Sequence, residues 1–173
     1  DVFTKEILSW KLAERRGARE QYVDGLQEVV TLLKGSFESV VLHTDQGSVY
    51  SSMAYNDLIK DTVIVRSMSR AGKPTDNRVN EANGWIKEEL MIDYRIDNCR
   101  SRDEVRTVLE NYMEYYNKQR PCFAIGYDTP VGYRKRYYKG ELDRKDTFSK
   151  RELSELPKFV QKRKNHADNQ KVE

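Results

Sequence analysis

The chain has 173 residues, of which 34% are charged and 38% hydrophobic, and this length suits one domain with a tail. Its composition leaves no apolar run of the roughly 20 residues that a membrane-spanning helix needs. Two cysteines, Cys99 and Cys122, are too few for a disulfide framework. With only two histidines, they also argue against a zinc site and favour reduced thiols in a cytoplasm.

The first half of the chain predicts strands alternating with helices. Residues 2–12 are expected to form the end of one strand, a tight turn and a second strand. Apolar residues then recur at helical spacing from Tyr22 to Leu33. A buried strand follows over 39–44, and a short helix capped by Ser51 or Ser52 comes next. Residues 62–66 are rich in β-branched side chains and predict another strand.

The second half predicts a loop, two helices and a charged tail. The loop over 67–75 contains Gly, Pro and two cations, and Asp76 is a suitable N-cap for the following helix, which bears Glu81. A long amphipathic helix is expected from about Ser101 to Asn117. Alternation of strands and helices indicates an α/β fold. We expect one domain over 1–138 and a basic tail, predicted to be flexible, over 139–173.

The basic excess of the chain lies in its last residues. Residues 134–173 contain 13 Lys and Arg against 7 Asp and Glu, whereas the net charge of the whole chain is +3. Such a tail can bind a polyanion through salt-sensitive electrostatics, or it can be a solvated segment of mixed charge. Both interpretations stay open.

Two carboxylates have a spacing that suggests phosphodiester chemistry. Asp45 comes just past the strand over 39–44, and Glu81 lies about a turn inside a helix, with 35 residues between them. Carboxylates held on rigid elements can share divalent metal ions, which stabilise the attacking and leaving oxygens in attack at phosphorus. We interpret Asp45 and Glu81 as candidate metal ligands.

Several motifs in a fixed order resemble the catalytic core of insertion-sequence transposases, which are similar to retroviral integrases. The resemblance covers the chain from Asp1 to about Tyr138. The motifs are His43-Thr44-Asp45-Gln46-Gly47-Ser48, Ser67-Met68-Ser69-Arg70, Asp76-Asn77 with Glu81, Tyr115-Tyr116-Asn117, Gln119-Arg120-Pro121, Gly126-Tyr127, Thr129-Pro130 and Tyr133.

This resemblance implies a DDE transposase with an RNase H-like α/β fold, in which a mixed sheet is flanked by helices. Asp45 would match the second catalytic carboxylate and Glu81 the third, both binding Mg²⁺ or Mn²⁺ in a two-metal site. The implied partners are transposon ends and target DNA, with a homo-multimer as the working form of the full-length protein. The implied setting is the bacterial cytoplasm, with association to the nucleoid during the reaction.

The chain departs from the family pattern at two points. In the family, the first catalytic aspartate lies on a strand that comes before the segment that residues 1–4 resemble. We therefore expect a truncated core, and we expect the isolated chain to be inactive. A decayed, non-catalytic remnant that at most binds DNA or a partner is the alternative. Second, the stretch after Glu81 is one residue short, which rotates either Glu81 or the Trp85-Ile86 face by about 100°.

Candidate DNA contacts are cations near the proposed site or close to the tail. For each of them, an ordinary solvated side chain is the competing interpretation. They are Arg70, Lys73, Lys87, Arg134, Lys135 and Arg136, the last three beside Tyr137 and Tyr138. His43 is interpreted as a structural histidine, and Gln46 and Gly47 as residues that shape the turn after the strand.

Overall fold

The computed structural model describes residues 1–15, 18–35, 37–70 and 79–142, without the side chains of residues 80 and 81. Within them it forms five α-helices, two strands and two short 3₁₀ turns. In chain order these are α1 (Arg19–Leu33), β1 (Val40–Thr44), α2 (Met53–Ile59), β2 (Ile64–Met68), α3 (Val79–Ile92), a 3₁₀ turn (Ile96–Asn98), α4 (Arg102–Lys118), a 3₁₀ turn (Phe123–Ile125) and α5 (Pro130–Tyr138).

The two strands form a parallel sheet joined by α2. Val40 lies opposite Ile64, and Thr44 lies opposite Met68. The carboxyl ends of both strands therefore meet at one edge of the sheet. The prediction of a strand over 39–44 is confirmed. The strand predicted over 62–66 is observed two residues further along the chain. Thr62 is instead held in a turn, because its hydroxyl donates to the Ile59 carbonyl oxygen at 2.7 Å.

The sheet packs against α1 and α2 through what we call the sheet cluster. Its buried members are Leu26, Leu33, Tyr55, Ile59 and Ile64. The prediction of a helix over 22–33 is confirmed. Of the two predicted caps of the short helix α2, Ser52 is the one observed, since its hydroxyl accepts a hydrogen bond from the Tyr55 amide at 3.4 Å. Val41 and Val65 point to the opposite face of the sheet, where both are exposed.

A second group of buried residues, which we call the tyrosine cluster, joins α3 to α4. Leu90, Tyr112 and Tyr116 form its buried centre, and Tyr112 is fully buried. The prediction of a helix from Ser101 to Asn117 is confirmed: the Ser101 hydroxyl accepts from the Glu104 amide at 3.2 Å and caps the helix.

Described residues of the chain contain no helix long and apolar enough to cross a membrane.

The N-terminal segment is where the prediction of strands is wrong. Residues 2–4 form a turn and residues 5–13 have no strand structure. Instead of a partner strand, the Asn117 side chain of α4 pairs with the backbone of Ile7: the Ile7 amide donates to Asn117 Oδ1, and Asn117 Nδ2 donates to the Ile7 carbonyl, each at 2.9 Å. A side-chain amide thus satisfies the peptide groups that a sheet would otherwise bind.

The chain divides into two units, residues 1–135 and residues 136–173. Of the second unit, the structure describes residues 136–142. Several sequence predictions lie outside the described residues, and the structure does not test them. They concern the loop beyond residue 70 with Lys73, the N-cap Asp76, and the tail over 143–173.

Candidate active site

Asp45 lies directly after β1, at the carboxyl edge of the parallel sheet. It is exposed, and its Oδ1 accepts a hydrogen bond from the Gly47 amide at 2.8 Å. Aspartate favours a local turn of this kind, in which its side chain accepts a hydrogen bond from the backbone amide two residues further along the chain. Among the described residues, no hydrogen bond reaches Oδ2. One carboxylate oxygen is thus oriented by the backbone, while the other is not held by a described residue.

Gly47 is required by the space around the Asp45 carboxylate. A Cβ atom at position 47 would lie 2.9 Å from Asp45 Oδ1 and 3.3 Å from Tyr50 Cδ2. The first distance is shorter than real Cβ contacts, so any side chain here displaces the carboxylate. The sequence indicates that Gly47 shapes the turn, and the structure adds that the same glycine leaves room for the Asp45 carboxylate.

Tyr50 lies on the other side of this turn and was not identified from the sequence. Its burial and the nearby Asp45 carboxylate raise the pKa of Tyr50 to about 12, so the phenol stays neutral at physiological pH. The Tyr50 ring packs edge-on against Tyr22 and Tyr55, with centroids 5.7 and 5.3 Å apart. These rings connect the Asp45 turn to the sheet cluster.

His43 is held by two hydroxyl groups. Its Nδ1 lies 2.9 Å from Ser67 Oγ, and its Nε2 lies 3.0 Å from Ser69 Oγ. Both ring nitrogens are therefore occupied by protein groups, which agrees with the structural role expected for His43. Ser69 is 5% exposed, and nothing in its sequence pattern alone predicts that burial.

Glu81 is the third residue of α3, and its side chain lies outside the described part of the structure. The structure describes the rest of α3 after the shortened stretch. Ile86 and Leu90 pack in the tyrosine cluster, whereas Trp85 is 59% exposed and Lys87 is exposed. The inward face of α3 is thus anchored by residues downstream of Gly84.

Another carboxylate on α3, that of Glu89, accepts hydrogen bonds from other side chains at both of its oxygens. Arg120 donates from Nε to both Glu89 carboxylate oxygens at 2.9 and 3.0 Å, and also from Nη2, while the Tyr112 hydroxyl donates to Oε2 at 2.8 Å. Burial alone raises the pKa of Glu89, but these donors outweigh it and hold the pKa below its ordinary value. The Gln119-Arg120-Pro121 motif therefore supplies an ion pair to the core.

The predicted DNA-contacting cations occupy different settings. Arg70 is exposed two residues after β2, and Lys135 and Arg136 are exposed on α5. Arg134 forms an ion pair with the largely buried Glu6, with Nε 2.8 Å from Oε2. Arg136 also forms an ion pair, with Nε 3.5 Å from Glu141 Oε2, so DNA contacts at all of these cations stay predictions.

Asp45 offers one oxygen of the type that a hard divalent cation binds. Mg²⁺ prefers carboxylate oxygens from one or two residues and keeps water in its other positions. Asp45 Oδ2 is such an oxygen. Within the described ranges, which omit the Glu81 side chain, no three His, Cys, Asp or Glu residues come together as a metal-binding group.

The fold and the motifs together define an integrase core. The Integrase core domain family matches residues 63–130. The catalytic core domain of BIV integrase superposes with a TM-score of 0.50 at 21% identity, covering 72% of this chain and 76% of that one. A chain of the simian T-cell lymphotropic virus intasome, solved in complex with PP2A regulatory subunit B56 gamma, gives 0.54 at 18% identity, covering 68% of this chain and 40% of that one. At these identities the likeness concerns the fold.

Sequence similarity gives the narrower family. The chain is 32% identical over 139 residues to the putative transposase InsK for insertion sequence element IS150 of Escherichia coli K12, covering 80% of this chain and 47% of the relative. It belongs to the insertion-sequence transposases with an integrase core domain. The chain spans about half the length of the curated relatives it matches.

Proposed function

We propose that this chain is the catalytic-core part of a DDE transposase, with Asp45 and Glu81 as two of its metal-binding carboxylates. The observation that carries the proposal is the environment of the Asp45 carboxylate, which is exposed at the carboxyl edge of the parallel sheet. Its Oδ1 accepts a hydrogen bond from the Gly47 amide, and its Oδ2 accepts none from the described residues. The spacing of 35 residues to Glu81 supports the second assignment.

The proposed activity is DNA strand cleavage followed by strand transfer, in which a 3′-hydroxyl attacks a phosphodiester of the acceptor DNA. Bound Mg²⁺ or Mn²⁺ would stabilise charge on the attacking and leaving oxygens. The chain's own contribution is to hold carboxylate oxygens in place on β1 and α3. No covalent bond between protein and DNA is required.

The proposed partners are transposon-end and target DNA, bound by a homo-multimer of the full-length protein. Exposed cations at Arg70, Lys87, Lys135 and Arg136 are suited to phosphate contacts, which would be salt-sensitive. A DDE site uses three carboxylates, and the proposal assigns two of them in this chain. We therefore expect this chain alone to bind a divalent ion weakly and to cleave no DNA.

Binding of Mn²⁺ tests the proposal without requiring turnover. Water-proton relaxation titrations of the 173-residue chain should show weakened binding in Asp45→Asn and in Glu81→Gln. Asp57→Asn is the matched control, because it removes the same charge from an exposed position on α2. Equal Mn²⁺ affinity in all four proteins would contradict the assignment. Strand cleavage by this chain that Asp45→Asn abolishes would contradict the expected inactivity.

A decayed remnant is the second candidate, favoured by the stretch that is one residue short after Glu81. The inward face of α3 is set by Ile86, Glu89 and Leu90, all downstream of that stretch. A remnant keeps this packing without needing Glu81 in register. Weaker Mn²⁺ binding in Asp45→Asn but not in Glu81→Gln would favour the remnant over the working core.

A further inference from the structure

One side chain of β1, that of His43, contacts one residue near the end of β2 and one residue just after it. Ser67 is the register partner of His43, and Ser69 follows the last residue of β2. The His43 ring bridges them, with Nδ1 2.9 Å from the Ser67 hydroxyl and Nε2 3.0 Å from the Ser69 hydroxyl. A neutral imidazole has one donor and one acceptor, and a hydroxyl can fill either role, so both contacts can be satisfied together.

A backbone hydrogen bond closes the same region next to Asp45. The Ser69 amide donates to the Thr44 carbonyl oxygen at 2.9 Å, and Thr44 immediately precedes Asp45. Thr44 is 6% exposed and Ser69 is 5% exposed. Breaking a buried hydrogen bond leaves a polar group without a partner, so these contacts hold their geometry more firmly than exposed ones would.

The size of the sheet makes this fastening important. In the described part of the chain, β1 is a five-residue strand whose one ladder partner is β2. A short strand frays at its ends unless other contacts hold it. The contacts of His43 and Ser69 lie at the end from which Asp45 extends.

We propose that His43 is a positioning residue for Asp45. By holding the end of β1 to Ser67 and Ser69, His43 keeps the Asp45 carboxylate in its hydrogen bond with the Gly47 amide and directs Oδ2 outward. The use of that oxygen by a divalent cation rests on the proposed function. The positioning itself does not, and a readout without metal tests it.

The NMR resonance of the Gly47 amide proton reports its hydrogen bond to Asp45. In Asp45→Ala the acceptor is gone, which gives the reference position for a broken bond. His43→Ala should move this resonance most of the way toward that reference, and His43→Gln, which keeps a donor and an acceptor, should move it less. Ser69→Ala removes one hydroxyl only and serves as the milder variant if His43→Ala does not fold.

The control is Leu42→Ala, which weakens the same strand from the opposite face, where Leu42 packs against the sheet cluster. It should lower the melting temperature yet leave the Gly47 resonance at its wild-type position when measured well below melting. An unmoved Gly47 resonance in both His43→Ala and Ser69→Ala would overturn the positioning role. Equal movement in Leu42→Ala would do so too, because it would show general loosening.

Mn²⁺ affinity gives the second readout. His43→Ala should weaken binding about tenfold, the low end of the effect of groups that orient metal ligands, while Leu42→Ala should not. If Asp45→Asn leaves Mn²⁺ binding unchanged, the proposed function fails and the Gly47 resonance still decides the positioning role. If Asp45→Asn weakens binding but His43→Ala changes neither readout, the positioning role alone fails.

Discussion

Two carboxylates of this chain, Glu89 and Asp45, occupy opposite environments. Glu89 is largely buried beside the tyrosine cluster and receives hydrogen bonds from Arg120 and Tyr112. Asp45 is exposed at the edge of the sheet and receives one hydrogen bond, from its own turn. The first carboxylate has its oxygens occupied by protein donors, whereas the second has one oxygen that accepts no hydrogen bond from the described residues.

The comparison separates a structural carboxylate from a candidate functional one. Arg120 also lies over the Tyr116 ring, with its Cζ 5.4 Å from the ring centroid, so the Glu89 contacts tie α4 and the residues after it to α3. Such a network stabilises the fold and has no vacant oxygen for a metal ion. The turn at Asp45 contributes less to packing, and its geometry is maintained by Gly47 and His43.

The largest expected effect is on stability, from Arg120→Ala. This change leaves a charged Glu89, whose side chain is 23% exposed, without its cation, which should lower the free energy of unfolding by about 2 kcal/mol. Urea denaturation of the chain measures it. Lys118→Ala removes an exposed pair with Glu114 and should cost less than about 0.5 kcal/mol. Similar losses in the two variants would contradict the structural role of Glu89 and Arg120.

The acid side of the stability profile gives the next effect. Because the pKa of Glu89 is held below its ordinary value of 4.5 in the folded state, its contribution to stability is present above that pH and is lost as the pH falls through the lower, folded value. Replacing Glu89 by Gln should therefore make unfolding less dependent on pH below 4.5. Urea midpoints across that range measure this, with the exposed Glu110→Gln as the control. An unchanged pH dependence in Glu89→Gln would count against the pairing.

Gly47→Ala is expected to have the smallest effect on stability but a clear effect on Mn²⁺ affinity. The new Cβ would displace the Asp45 carboxylate, so Mn²⁺ affinity should fall about tenfold, while the unfolding free energy changes by less than about 1 kcal/mol. Gly25→Ala on α1 is the matched control, because its Cβ meets neighbours no closer than 3.6 Å. Wild-type Mn²⁺ affinity in Gly47→Ala would show that the Asp45 turn is not used by the metal.

Helices were predictable where one face is apolar and the ends have local signals. The α4 helix begins after Ser101 as expected because a serine hydroxyl can cap an amide a few residues away. Strands were less predictable, because each needs a partner distant in sequence. Residues 2–12 have apolar side chains suited to strands, yet Ile7 pairs with the side chain of Asn117, and β2 extends to Met68 beside β1.

The sequence by itself indicated the family, because the motifs around Asp45 and Glu81 have a characteristic composition and spacing, and it gave the order of the elements from α1 to α4. It also placed Asp45 at a strand end, since a buried apolar run before an aspartate is a local pattern. Only the tertiary structure decided what surrounds each carboxylate. The contacts of Glu89 with Arg120 and of His43 with Ser69 join residues that are distant in sequence, so they depend on how the chain folds, which local composition does not encode.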